Sequence, residues 1–158
     1  MQPAHFSHPE FLEHSLLDSG DGEKLERFGE VVLRRPDPQA LWARRQGPEA
    51  WGEAHLQFVR ESDRGGRWEA HPQAPPCARG EAPGWEIGWR DARFLVRPTP
   101  FKHVGVFPEQ AANWTWLVEL KDRFEVERPR PLTPFGYPGG ASVAASRAGA
   151  EVRPLAAH

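Results

Sequence analysis

The sequence predicts an α+β chain: a β-rich amino-terminal region of antiparallel hairpins, then the opening β-α-β of a parallel sheet. Three observations carry this. Charged and apolar residues alternate with period two in several short runs between residues 23 and 97, as half-buried strands require. Pro (17) and Gly (15) make up about a fifth of the 158 residues, so turns are frequent and elements short. After Pro100 the pattern changes to helical spacing, and then to a glycine-rich turn ahead of a run of small residues.

Residues 1–14 show no regular pattern and read as a mobile tail. His5, His8 and His14 share no element there, so they are not read as metal ligands. Residues 15–97 are expected to form the β-rich domain. Asp18-Ser19-Gly20-Asp21-Gly22 is a turn with two glycines able to take positive φ. Glu23–Phe28 alternates, Gly29 interrupts, and Val31-Val32-Leu33 is a β-branched strand. Residues 54–59 and 66–71 flank the turn Ser62-Asp63-Arg64-Gly65-Gly66, and residues 72–84 form a Pro- and Gly-rich surface loop. Trp85–Trp89 and Ala92–Val96 alternate on either side of Arg90-Asp91, the clearest hairpin of the chain. Pro98 and Pro100 end β pairing.

Residues 98–125 are expected to link the two parts and to carry a helix opening at Pro108-Glu109. Proline is tolerated there and the acid complements the helix dipole. Trp116, Leu117, Leu120 and Phe124 form one apolar stripe, and Ala111, Trp114 and Val118 another. The helix is therefore predicted to be buried on two sides. Residues 126–158 read as a strand at Leu132-Thr133, a glycine turn, a small-residue helix stopped by Gly149, and a strand from Ala150-Glu151-Val152. That is the truncated start of a Rossmann-like sheet, with its glycine turn placed to approach a ligand.

Twenty basic against twenty-two acidic residues give a net charge of -2, which makes no global case for nucleic-acid or membrane attraction. No apolar run approaches a membrane span, and the first residues lack the order of a secretory signal, so the cytoplasm is the default location. Seven Trp and nine Phe argue for a packed core rather than disorder. The lone cysteine, Cys77, excludes an intramolecular disulfide and a multi-cysteine metal site, and reads as an incidental thiol. Locally, Arg27, Arg34, Arg35, Arg44 and Arg45 outnumber Glu30 and Asp37 over residues 27–45. This reads either as a strand edge protected by charge or as a phosphate-contacting surface of a non-enzymatic RNA-binding module.

Two segments carry a family resemblance. Residues 101–114, Phe101-Lys102-His103-Val104-Gly105-Val106-Phe107-Pro108-Glu109-Gln110-Ala111-Ala112-Asn113-Trp114, resemble the F-K-H-x-G-x-F-P-E-Q-x-x-N-W stretch of a class I S-adenosylmethionine (SAM)-dependent methyltransferase family. That family is similar to the cytosine-C5 methyltransferases of 23S ribosomal RNA. Phe135-Gly136-Tyr137-Pro138-Gly139-Gly140-Ala141-Ser142 resembles its first SAM-binding motif, with Pro138 where the family has threonine. The β-rich leader is similar as well, so the resemblance runs over nearly the whole chain.

The resemblance implies SAM as cofactor, RNA as partner, and a chain corresponding to the amino-terminal portion of the enzyme. Lys102, Phe107, Glu109, Asn113, Tyr137, Gly139 and Gly140 are the implied cofactor-binding residues. Gly139 and Gly140 would bring backbone to the methionine end, and Lys102 would pair with its carboxylate. Glu109 or Asn113 would hold its ammonium, and Phe107 would pack on adenine or the sulfonium. Phe101 and Trp114 read as core. The family's catalytic motifs have no counterpart before His158, so no catalytic residue is assigned and the chain by itself is expected to be inactive. A truncated or frameshifted product without activity is the remaining reading.

Overall fold

A computed structural model describes residues 8–124, 139–147 and 149–151 of the chain, which divides into two units, Met1–Gly105 and Val106–His158. In the first unit β1 (His14–Gly20), β2 (Glu23–Phe28) and β3 (Val31–Pro36) form an antiparallel meander. Asp21 (φ 51°) and Gly22 (φ 76°) make a two-residue turn with both residues left-handed, the geometry whose twist suits a hairpin. The chain then crosses through α1 (Pro48–Gly52) and returns as β4 (Leu56–Ser62), which turns into β5 (Gly65–Ala70). The sheet order is β1-β2-β3-β4-β5.

One pairing departs from the expected hairpins: β3 and β4 run parallel, with Leu33 opposite Leu56. Parallel neighbours need a long crossover, and residues 37–55 supply it. α1 is a single turn, too short to display a helical period, yet it delivers Trp51 into the core beside Leu25 and Ala54. The buried Asp18 carboxylate fixes this connection to β1. It accepts from the Trp51 indole N–H at 3.0 Å, the Gln46 amide at 2.9 Å and the Arg45 amide at 3.1 Å.

β6 (Trp85–Trp89) and β7 (Ala92–Val96) pair as a separate hairpin with the alternation the sequence predicts. Trp85, Ile87 and Trp89 are buried together with Ala92, Phe94 and Val96, while Glu86, Arg93 and Leu95 face outward. Trp85 Nε1 donates to the Phe28 carbonyl at 3.0 Å, which seats this hairpin against the β2–β3 turn. The expected tail is corrected at its carboxyl end. Phe11 is fully buried, and the His14 ring lies 4.8 Å from Phe28 within β1. His5 lies outside the described residues, and among those described no cluster of His, Cys, Asp and Glu could hold a metal ion. No described helix is long and apolar enough to cross a membrane.

In the second unit a 3-10 turn at Pro108–Gln110 leads into α2 (Ala111–Phe124), as Pro108-Glu109 predicts. Ala111 and Trp114 are buried, whereas Trp116 is 53% exposed, so the expectation of a helix buried on two sides is corrected at Trp116. α3 (Gly140–Arg147) packs against α2. Gly149 (φ 78°) ends α3: its N–H bonds the Ser146 carbonyl at 2.9 Å and the Ala150 N–H bonds that of Ala145 at 3.0 Å. This is the glycine C-cap anticipated from sequence. The strand expected at residues 132–133 and the continuation from Val152 lie outside the described residues.

Candidate functional site

The two motif segments meet inside the second unit. Gly140, from the glycine turn, lies so close to Trp114, the last residue of the longer motif, that a Cβ there would stand 2.3 Å from Trp114 Cζ2. No aromatic ring that is itself fully buried can yield that distance, so glycine is required at 140 by packing. Gly139 is required by conformation: its φ of 92° belongs to the left-handed side that favours glycine. Its carbonyl accepts the Val143 N–H at 2.9 Å and starts α3. The amides that open the helix before Val143 have no intrahelical acceptor, the general property that makes a helix start an anion receptor.

Phe107, Glu109 and Asn113 sit at the opening of α2, within the seven residues before Trp114. Phe107 is half-buried with extended backbone (φ -116°, ψ 92°), and Glu109 and Asn113 are exposed. Asn113 Nδ2 donates to Gln110 Oε1 at 2.8 Å, which fixes the amide orientation. Tyr137 lies outside the described residues. Trp114 read as core from sequence; the structure adds that it is the contact joining the two motifs. No signal in the sequence linked residues 114 and 140, because their contact depends on how two helices cross.

Lys102 belongs to the first unit. Its backbone is left-handed (φ 64°), a conformation costing a side chain about 1–3 kcal/mol unless its surroundings hold it. Here Arg35 donates to the Lys102 carbonyl at 3.2 Å, and Lys102 Nζ donates to the Pro36 carbonyl at 3.2 Å. Burial, joined by the positive charges of Lys24, Arg60 and Arg35, pushes its ammonium below the ordinary lysine value, with Asp37 opposing. Phe101 next to it is 63% exposed, which corrects its reading as core.

Apart from the exposed Arg45, the arginine-rich segment is not an open surface. β3 is the middle strand, so Arg34 and Arg35 are not on a sheet edge. Arg34 forks onto Glu23 (Nε to Oε1 at 3.1 Å, Nη2 to Oε2 at 2.8 Å), and Arg44 bonds the same carboxylate. The Arg44 guanidinium also lies 4.1 Å from the centroid of the Trp51 ring. Arg35 donates to the buried Glu26 carboxylate at 2.6 Å. Burial alone would raise the Glu26 carboxyl; the hydrogen bond from His14 and the positive charges of Arg35 and Lys24 outweigh it and hold the group well below the carboxylate range. Arg27 donates to the Gly29 carbonyl and the Ser15 hydroxyl. Cys77 Sγ lies 3.3 Å from Glu30 Oε1, and burial followed by that carboxylate pushes its thiol up, away from thiolate chemistry.

These features define an α+β architecture in which a β-rich unit precedes a helix that begins at a left-handed glycine. Two solved structures are similar to the chain in fold. The chain is similar to a SAM-dependent methyltransferase from Agrobacterium tumefaciens, with a TM-score of 0.78 and 39% identity over 93% of this chain. It is also similar in fold to a candidate SAM-dependent methyltransferase from Streptococcus mutans, with a TM-score of 0.57 and 16% identity over 90% of this chain. The matches cover 44% and 38% of those two proteins, so the chain spans less than half the length of either. No protein-family model matches the chain, and no curated protein does.

Proposed function

We propose that this chain is the β-rich leader and first cofactor-contacting portion of a SAM-dependent methyltransferase that acts on RNA, specifically ribosomal RNA. One observation carries it: the two segments that resemble the family's motifs are brought into contact at Trp114 and Gly140. The 39% identity over 93% of the chain with the Agrobacterium methyltransferase supports it. SAM, when bound, supplies a methyl group on a sulfonium. The residues here suit its other end. The left-handed turn at Gly139 presents the opening amides of α3 to a carboxylate, and Glu109 and Asn113 at the start of α2 offer oxygens to an ammonium. No catalytic residue is assigned in this chain, and the chain alone is read as inactive in transfer.

A 15N NMR titration of the chain with SAM tests this. The expected result is weak binding, with Kd of about 1 mM or above, that shifts the amides of Gly139, Gly140 and Asn113. Saturation at micromolar SAM would overturn the reading that this portion is insufficient alone. Absence of shifts at those amides would overturn the cofactor assignment.

A further inference from the structure

The first unit carries a cleft that none of the preceding chemistry uses. It lies between the β4–β5 turn and the loop over residues 99–103, and has a volume of about 230 Å³. Arg60, Arg64, Lys102 and His103 line it, with Asp63 as the one carboxylate and Phe101 as an exposed aromatic wall. Phe58 forms its floor, held edge-on to Trp68 at 5.3 Å between centroids. The walls are fastened to each other by backbone. The Gly66 N–H bonds the Pro100 carbonyl at 2.9 Å, and Trp68 Nε1 bonds the Thr99 carbonyl at 2.8 Å. A side chain at Gly65 is excluded, since its Cβ would stand 2.7 Å from the Pro100 oxygen.

The charge here is of a different kind from that on the sheet. Arg34, Arg35, Arg44, Arg67, Arg90 and Arg93 each hold a carboxylate. Arg60 and Arg64 are exposed and have no ion-pair partner among the described residues. Lys102, whose ammonium is bonded only to a carbonyl oxygen, adds a third cation without a salt bridge. Like charges are thus gathered around a small concavity lined by one acid, Asp63, with Asp37 acting on Lys102 from outside the lining. An anion entering the cleft would relieve that repulsion. Phe101 offers a flat apolar face beside the cations, the pairing of stacking platform and phosphate contact used for single-stranded nucleic acids.

The geometry points to this cleft as a nucleotide-binding site, with Arg60 and Arg64 on a phosphate, Phe101 stacked on the base, and Lys102 held in place as the third cation. Its size suits one nucleotide unit, presented by a single RNA strand or as a free nucleotide. The inference deepens the reading above by giving the RNA partner a place to bind, but it concerns residues of the other unit. Failure of the SAM titration and failure of this site are therefore separately visible.

Fluorescence anisotropy with labelled single-stranded oligoadenylate, with AMP and adenosine as competitors, tests it on the full chain. Binding is expected, with competition by AMP and not by adenosine. Competition by AMP identifies the mononucleotide as sufficient; strand binding without AMP competition assigns the site to a strand. In either case R60E/R64E should weaken binding at least tenfold and lower the salt slope by about 0.7, the value for one phosphate contact on a single strand. Phe101→Ala should cost about tenfold, and less for an abasic strand. Arg45→Glu, at an exposed arginine outside the cleft, controls for overall charge against the single variants Arg60→Glu and Arg64→Glu. No binding of any probe, or an equal loss with Arg45→Glu, would overturn the proposal. All four side chains are exposed, so circular dichroism should show each variant folded.

Discussion

The arginines of the sheet and those of the β4–β5 end are one residue type put to opposite uses. Arg34 and Arg35 on the sheet, and Arg44 on the crossover beside it, are closed off by Glu23 and Glu26. At the β4–β5 end, Arg60 and Arg64 have no such partners among the described residues. Strand register makes the difference. β2 and β3 pair Leu25 with Arg34 and Lys24 with Arg35, which places Glu23 and Glu26 diagonally across from the two guanidinium groups. The acids that neutralise the basic window of residues 27–45 lie just before it in sequence. Local excess of charge in a sequence window is thus a poor guide to surface potential once strands fold back on each other.

The sharpest way to break the closed half of the comparison is to remove its buried anchor. Glu26→Gln leaves the Arg35 guanidinium buried without a counter-charge, and the loss is expected to be roughly 3–5 kcal/mol in urea unfolding. A change below about 1 kcal/mol would show that Arg35 finds solvent and that the pair is not closed. Acid titration approaches the same pair by a second route. The folded carboxyl of Glu26 is held far below its ordinary value of 4.5, so the unfolded state takes up the proton first. Its contribution is therefore complete above the ordinary carboxylate range and drains away as pH falls from about 4.5 toward the depressed folded value. Comparing stability against pH for the wild type and Glu26→Gln should show the two curves converging below about pH 4.5. Parallel curves would remove Glu26 as the source.

This contrast also marks what was legible in the sequence. The β6–β7 hairpin was readable because both arms alternate around a two-residue turn, all within a dozen residues. The glycine turn and the Gly149 cap were readable because backbone conformation at those positions is a local demand. What sequence hid is non-local. The parallel β3–β4 pair, the buried Trp51 on a one-turn helix and the Trp114–Gly140 contact depend on segments far apart along the chain. The cleft was hidden for the same reason: Arg60 and Arg64 come from one turn, and Phe101 and Lys102 from a loop some forty residues on that is pinned across it. Of the proposed cofactor residues, the glycines were read for their backbone, and the second demand on Gly140, from packing, appeared only in three dimensions.

A smaller effect is expected at the half-exposed margin of the closed set. Arg44 shares Glu23 with Arg34, lies 3.6 Å from Asp21 Oδ2 and sits over Trp51, so Arg44→Ala loses two ion-pair contacts and one cation–π contact while Glu23 keeps Arg34. Thermal or urea unfolding should register about 1–2 kcal/mol. The oligoadenylate salt slope should stay where it is, since this cation is already neutralised. A fall in slope would move Arg44 from the closed set to the open one.

The least effect on stability is expected where the proposal needs the most effect on binding. Arg64→Ala removes an exposed side chain without an ion-pair partner among the described residues, so unfolding free energy should change by no more than about 0.5 kcal/mol in either direction. A rise in stability within that range would itself be informative, because it would report relief of repulsion among Arg60, Arg64 and Lys102. A structural role for Arg64 would instead appear as destabilisation comparable to Arg44→Ala, and the two sets of arginines would then differ only in degree. Destabilising one set without touching oligoadenylate affinity, and weakening affinity through the other without touching stability, is the double dissociation that separates a charge used to hold the fold from one held ready for a ligand.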